Sequence, residues 1–186
     1  MDQAAKPRIE TEIKLRLADA SSGKRKLRQA GFHVSKRRVL ETNVLFDTAD
    51  GRLRRDKKIV RLRRCGSKWL ATFKGPGGKG DRYKVREEVE TGLADGAALE
   101  RILVEAGLRA SYFYEKYRTE YRRPGERGCA MLDETPAGVF LELEGSPGWI
   151  DRTARRMGYG PSEYITESYA TIWRREGKGK QGMRFS

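Results

Sequence analysis

Charge and apolarity alternate with period two in six separate segments of this 186-residue chain, and that recurrence constrains its fold more than any single motif. Ile9, Ile13 and Leu15 alternate with Glu10, Glu12 and Lys14; Val60 and Leu62 alternate with Arg61 and Arg63. Trp69, Ala71 and Phe73 alternate with Leu70, Thr72 and Lys74, and Val85 and Val89 with Lys84, Arg86, Glu88 and Glu90. Tyr117, Thr119 and Tyr121 alternate with Lys116, Arg118, Glu120 and Arg122, and Val139, Leu141 and Leu143 with Phe140, Glu142 and Glu144. Successive side chains of a strand point to opposite faces, so each segment reads as a β-strand with one apolar and one charged face. Asp50-Gly51, the loop Gly75 to Asp81 and the stretch Pro124 to Gly128 punctuate these segments and suit antiparallel connections.

Helices are fewer. One is expected over Ala20 to Ala30, ended by Gly31, and one over Ala97 to Ala106, where Leu99, Ile102, Leu103 and Ala106 form an apolar stripe. A third starts with Ser146 as N-cap and Pro147 at the first helical position; a fourth carries Ile165, Tyr169 and Ile172 on one side. The fold class is therefore α+β. Alternation fits an open sheet with one wet face as well as a closed barrel. What separates them is the doublets: Glu-x-Glu recurs in three strands, and Arg-x-Arg or Lys-x-Arg in others. Like charges along one strand face repel unless a counterion or ligand joins them. In an eight-stranded barrel with the charged faces inward, they would line a polar tunnel about wide enough for one small ligand.

The length fits one domain, 1–186, with a core at 9–173 and a glycine- and lysine-rich tail at 174–186 expected to be flexible. The chain is 37% hydrophobic and 35% charged, enough to build a core while carrying more charge than a surface requires. A formal net charge of +14 points to an anionic partner: nucleic acid, an acidic membrane surface or polyphosphate. Cys65 and Cys129 are too few for a secreted disulfide framework and lack zinc-ligand spacing. No apolar run spans a bilayer and the N-terminus lacks the apolar core of a secretory signal, so a cytoplasmic location is expected. His33 is the single histidine and stands in a polar stretch, which argues against histidine-based catalysis. Gly75-Pro76-Gly77-Gly78-Lys79 lacks the Gly-Lys-Ser/Thr ending and following helix of a phosphate loop, and reads as a hairpin connection.

Glu10-x-Glu12-x-Lys14 puts two carboxylates and an ammonium on one strand face, a pattern suited to a hard divalent cation beside a phosphate. It is followed by Leu45-Phe46-Asp47-Thr48, Arg61-Leu62-Arg63, Thr72-Phe73-Lys74-Gly75-Pro76, Arg86-Glu87-Glu88-Val89-Glu90, Glu115-Lys116-Tyr117-Arg118, Leu132-Asp133-Glu134 and Phe140-Leu141-Glu142-Leu143-Glu144-Gly145. In this order, over nearly the whole span from Ile9 to Trp173, the set resembles the CYTH superfamily of triphosphate tunnel metalloenzymes. That superfamily includes class IV adenylyl cyclases, thiamine triphosphatases and inorganic triphosphatases.

The resemblance implies a closed eight-stranded antiparallel β-barrel with helices packed outside, and a tunnel that binds triphosphate with Mg2+ or Mn2+. It implies Glu10, Glu12, Asp133, Glu142 and Glu144 as metal-binding acids, with Glu88 and Glu90 as lesser candidates. Lys14, Arg61, Arg63, Lys74, Arg86, Lys116 and Arg118 correspond to the phosphate-binding set, and Glu10, Lys14 and Glu142 to catalytic positions. Arginine forks suit two-point contacts to phosphate and lysines act as point charges. The expected partner is tripolyphosphate, thiamine triphosphate or ATP, handled by a monomer or homodimer, with no membrane. Hydrolysis is the first expectation and conversion of ATP to cyclic AMP and pyrophosphate the second. A third, of another class, is a non-catalytic polyphosphate or nucleic-acid binder, for which Trp69, Tyr112, Tyr114 and Tyr117 lie near basic residues. Carboxylates in a phosphate groove argue against that third reading, because they repel the ligand unless a metal intervenes.

Overall fold

The computed structural model describes residues 7–78, 82–177 and 182–185; Lys79, Lys178 and Lys180 lie outside the described residues. Eight strands form the frame: β1 (Arg8–Leu17), β2 (His33–Thr48), β3 (Ile59–Cys65), β4 (Lys68–Lys74), β5 (Lys84–Leu93), β6 (Leu108–Arg122), β7 (Cys129–Thr135) and β8 (Gly138–Glu144). Their lateral order is β2-β3-β4-β5-β1-β8-β7-β6, all antiparallel, and pairing of β2 with β6 closes the sheet into a barrel. Closure leaves the charged parity of each strand facing inward.

The helices are α1 (Ala20–Gln29), α2 (Arg52–Arg55), α3 (Gly96–Glu105), α4 (Pro147–Arg156) and α5 (Tyr169–Arg175). Local chemistry sets their limits. Asp19 caps α1 by accepting from the Ser22 backbone N–H at 2.8 Å, and Gly31, at φ +81°, ends it in a left-handed turn that costs glycine nothing. Ser146 caps α4, with Pro147 at its first position, as the sequence indicates. Ser168 caps α5, so Ile165 precedes that helix and instead bridges to Lys14 on β1 through paired backbone hydrogen bonds.

Helices α1 and α4 cover the outer face of β1, β8 and β7. Ile13, Leu15, Leu132, Leu141 and Leu143 meet Leu27 of α1 and Trp149, Ile150 and Ala154 of α4 in one buried cluster. Full burial of each such Leu or Ile contributes about 1.5–3 kcal/mol. A second cluster forms where α5 meets the inward-facing Phe140 and Tyr112, adding Tyr169 and Ile172.

Two strands carry little alternation. β7 reads Cys-Ala-Met-Leu-Asp-Glu-Thr and is buried on almost every residue, so it has no wet face to mark a period. β2 begins with an exposed polar run, and its pairing with β6 shifts register between Val34 and Lys36 and between Lys36 and Val39. Of the tail at 174–186, residues 174–177 and 182–185 are described. Tyr169–Arg175 extends the last helix beyond residue 173, and Gly182–Met183 forms a ninth strand, β9, parallel to β6. β7 pairs with β6 only from Tyr117 to Tyr121, which leaves that edge open at Phe113 and Tyr114; β9 takes it, and Met183 is wholly buried.

Trp149 lies flat against bare backbone. A Cβ added at Gly128 would sit 2.2 Å from its ring, and the indole N–H donates to Glu126 at 2.6 Å, so the ring has little freedom to retreat. Gly128→Ala should therefore lower stability by about 1–3 kcal/mol, read as a reduced urea midpoint with unchanged slope. An unaltered midpoint would show that the ring is not seated there.

Candidate active site

The inward faces converge on a cavity of about 120 Å³ inside the barrel. The acidic strands β1, β8 and β7 are neighbours, and β5 and β6, which flank them, carry cations. Register then makes the ion pairs. Lys14 lies opposite Glu142, Lys84 opposite Glu12, Arg118 opposite Asp133, and Lys116 opposite Glu41. The side chains meet accordingly. Lys14 Nζ stands 3.3 Å from both Glu12 and Glu142, Lys84 pairs with Glu12, and Lys74 reaches across β5 to Glu10. Arg118 donates through Nε to Asp133 at 2.7 Å and pairs with Glu142, while Lys116 donates to Asp133 at 2.9 Å.

Most of the expected site residues share this cavity: Glu10, Glu12, Lys14, Arg61, Arg63, Lys74, Lys116, Arg118, Glu142 and Glu144 line it. Asp133 does not. It is completely buried behind the wall, where Lys116, Arg118 and the Tyr169 hydroxyl all donate to it. Arg86 lines an adjoining cavity of about 470 Å³, with Lys57, Lys58 and Arg174, and its Nε and Nη1 are buried without a hydrogen-bond partner among the described residues. Glu88 and Glu90 line another adjoining cavity, of about 490 Å³, on the side of Glu41 and Cys65. There Arg61 stands 3.8 and 3.5 Å from them, and the Thr72 hydroxyl donates to Glu90 at 2.9 Å. The Asp47 of the Phe-Asp-Thr motif is also occupied locally, accepting from the backbone N–H groups of Thr48, Leu53 and Arg54, which fixes the start of α2.

Several inward groups were not singled out as site residues. Glu41 and Asn43 lie on β2, where no alternation flags them; Glu41 sits 3.5 Å from Arg63 and 3.6 Å from Lys116. Asn43 is fully buried with both amide atoms unpartnered among the described residues. Lys84 lines the cavity, and so do two aromatic hydroxyls. Tyr169 comes from α5 and Tyr114 from β6, on the parity of Lys116 rather than the apolar one. Of the other aromatics near basic residues, Trp69 packs on Gly96 and Tyr117 stacks under Arg38 at 3.5 Å.

Burial disfavours every charge here; it prevails at Lys84 and Arg86, which it lowers, and the neighbours overrule it at the acids Glu12, Glu41 and Glu142 and at Lys14. Against burial, Lys14 and Lys84 hold Glu12 far below the ordinary carboxylate range, and Arg118, Lys14 and Lys116 do the same for Glu142. Lys116, Arg118 and Arg63 bring Glu41 down to about 2. Lys14 is raised by Glu12 and Glu142 despite its burial. Glu88 moves the other way: burial raises it, and Lys74 and Arg61 only partly offset that.

The CYTH domain profile matches residues 8–148, about three quarters of the chain. The chain belongs to the CYTH domain family. A Methanocaldococcus jannaschii protein provisionally named adenylate cyclase is 31% identical over 140 residues, 74% of this chain and 77% of that protein. A Vibrio parahaemolyticus structure, also provisionally an adenylate cyclase, superposes with a TM-score of 0.77 at 17% identity, covering 91% of this chain and 99% of its own. A Hippeastrum protein, provisionally an adenylyl cyclase and described as having a dominant triphosphatase activity, superposes with a TM-score of 0.63 at 22% identity, covering 91% and 97%. These two likenesses show that the fold is shared. No helix among the described residues is long and apolar enough to cross a membrane.

The donor set fits a hard divalent cation. Glu12 and Glu144 lie directly opposite each other on adjacent strands, both line the cavity, and like charges so placed repel unless something joins them. Carboxylate oxygens are the ligands that Mg2+ and Mn2+ favour. Among the described residues no three acids stand clustered as a ready ligand set, because each holds a lysine or arginine; Glu144 is held by Arg8.

The depressed carboxylates set the acid behaviour of this CYTH barrel. Each folded value lies below the unfolded one, so its stabilisation is complete above the ordinary 4.5 and is lost as pH falls toward the folded value; for Glu41 that window runs from 4.5 to about 2. The calorimetric melting temperature should fall continuously through that window. Glu41→Gln should lower it at neutral pH and flatten its acid dependence, and a melting temperature constant down to pH 2 would contradict the assignment.

Proposed function

We propose that this CYTH protein is a divalent-metal-dependent enzyme that cleaves a triphosphate bound inside the barrel, with hydrolysis as its principal reaction. The observation that carries this reading is the placement of acids on β1 and β8 and cations on β3, β4 and β6 around one small cavity. A polyanion alone would be repelled by Glu10, Glu12, Glu142 and Glu144; a polyanion with Mg2+ or Mn2+ satisfies both walls. Glu10, Glu12, Glu142 and Glu144 would hold the ion, with Asp133 fixing the neighbouring cations. Bound there, such an ion supplies charge neutralisation on phosphate oxygens.

The remaining work falls to the protein. Arg61 and Arg63 grip phosphate oxygens through guanidinium forks, and Lys74, Lys116 and Arg118 place positive charge where negative charge grows as the anhydride bond breaks. Lys14, held between Glu12 and Glu142, is oriented before substrate arrives. The description of the Hippeastrum relative supports hydrolysis. A specific observation favours cyclisation as a second reading: the adjoining cavity that holds Arg86 also presents Leu45, Phe46, Tyr112 and Ala170, apolar surface suited to an organic group. The name of the Methanocaldococcus jannaschii relative points the same way.

Incubation with tripolyphosphate, thiamine triphosphate and ATP, each with Mg2+ and with Mn2+, tests the reading chromatographically. Orthophosphate identifies the hydrolase; cyclic AMP with pyrophosphate identifies the cyclase; salt-sensitive RNA binding without turnover would refute both. Glu10→Gln and Glu142→Gln should each abolish turnover, and undiminished rates in both would remove those acids from the mechanism. Arg61→Ala should chiefly raise KM, by about 10- to 100-fold for the loss of a charge-assisted contact.

A further inference from the structure

Two tyrosines reach the central cavity and meet opposite charges. The Tyr169 hydroxyl donates to Asp133 Oδ2 at 2.8 Å, and burial together with Asp133 and Glu142 pushes its phenol well above the ordinary value. Its proton is committed. Tyr114 stands on β6 facing Arg61 and Arg63 from β3, Lys116 from its own strand, and Glu41 and Asn43 from β2. Tyr112 stacks beside it at 6.3 Å, and Tyr169 and Met183 complete the cluster it packs against. Its hydroxyl oxygen accepts from Arg61 Nη1 at 3.4 Å, and among the described residues its own proton goes to no protein acceptor. Burial alone would raise this phenol, but Arg61, Lys116 and Arg63 together bring it below the ordinary 10. A pair of like groups driven apart by their surroundings is how acid and base roles are divided in one site.

The other proton carriers in the cavity are engaged. Lys14 is shared by Glu12 and Glu142, Lys74 is bound to Glu10, Lys84 to Glu12, and Lys116 to Asp133 and Glu41. Beside Tyr114, at its cross-strand position, the buried Asn43 amide has a donor and an acceptor that no atom of the described residues uses. A buried amide left so costs about 1–3 kcal/mol unless something else satisfies it.

We propose that Tyr114 is a catalytic residue whose O–H protonates the departing phosphate oxygen when the triphosphate is cleaved, with Arg61, Arg63 and Lys116, which line the same cavity, holding the phosphate beside it. This role rests on the triphosphate-cleaving function proposed above. The nucleophile oxygen, from water in hydrolysis, bonds to phosphorus as the bridging P–O bond breaks. The electron pair of that bond stays on the bridging oxygen, which takes the Tyr114 proton. Arg61, Arg63 and Lys116 hold the resulting phenolate until it recovers the proton released by the attacking water, so the residue ends as it began.

Tyr114→Phe removes only the hydroxyl. With tripolyphosphate and Mg2+, kcat should fall about 100-fold while KM changes by less than about threefold, the split expected when a proton donor is lost and binding is kept. The alkaline limb of the wild-type kcat/KM profile should lie below the ordinary phenol value and vanish in the variant. Phenolate absorbance of the ligand-free wild type should show one tyrosine ionising ahead of the rest, absent in Tyr114→Phe and shifted upward by tripolyphosphate, which offsets the surrounding cations. Wild-type kcat in the variant, a defect in KM alone, or matching absorbance titrations in the two proteins would overturn the role. A wild type inactive on tripolyphosphate, thiamine triphosphate and ATP would overturn the function and this role together.

Discussion

Pairing of opposite charges across a closed interior is the interaction on which the rest of the molecule depends. Glu12, Lys14, Asp133 and Glu142 are each buried to a degree that an unpaired charge does not tolerate. Each is met by a residue placed opposite it by strand register, so a one-residue slip of any strand would turn its charges into the apolar shell outside. The barrel and the charge network therefore specify each other. Such pairs are not a source of net stability, since desolvation consumes most of the Coulomb gain. The folding free energy comes from the shell, where α1 and α4 pack on β1, β7 and β8. What the interior gains from its charges is a fixed arrangement.

That arrangement is uneven, and its unevenness bears on function. The acids gather on adjacent strands β1, β8 and β7, and Glu12 faces Glu144 with no cation between them in the register. On the far wall Arg61 and Arg63 keep buried Nε atoms without hydrogen-bond partners among the described residues, and the Asn43 amide beside them has none there either. An interior built only for rigidity would satisfy these groups. Such an interior suits the function proposed above, in which a cation would meet the acids and phosphate oxygens would meet the arginines.

The sequence shows most of this where a strand has one wet and one dry face. β1, β3, β4, β5, β6 and β8 are visible from alternation, and with them Glu10, Glu12, Lys14, Arg61, Arg63, Lys74, Lys116, Arg118, Glu142 and Glu144. The method fails where burial is two-sided or absent. β7 is buried on both faces, and the polar start of β2 has neither face marked, so nothing in the pattern points to Glu41 and Asn43. Tyr114 was hidden differently: an aromatic on an inward position is indistinguishable from core until register sets it among Arg61, Arg63 and Lys116. Asp133 and Arg86 show the converse. Their residue types fit the site, but tertiary packing places one behind the wall and the other in the adjoining cavity.

In the proposed function one cavity inside the barrel would seat a hard cation against the β1 and β8 carboxylates and a phosphate chain against the β3 and β6 cations. Diffraction from crystals soaked with Mn2+ and tripolyphosphate, recorded where manganese scatters anomalously, addresses it most directly. The account predicts an anomalous peak in coordinating contact with Glu12 and Glu144 and phosphate density touching Arg61, Arg63 and Lys116. Manganese and phosphate found only on the outer surface, with the interior ion pairs unchanged, would contradict it.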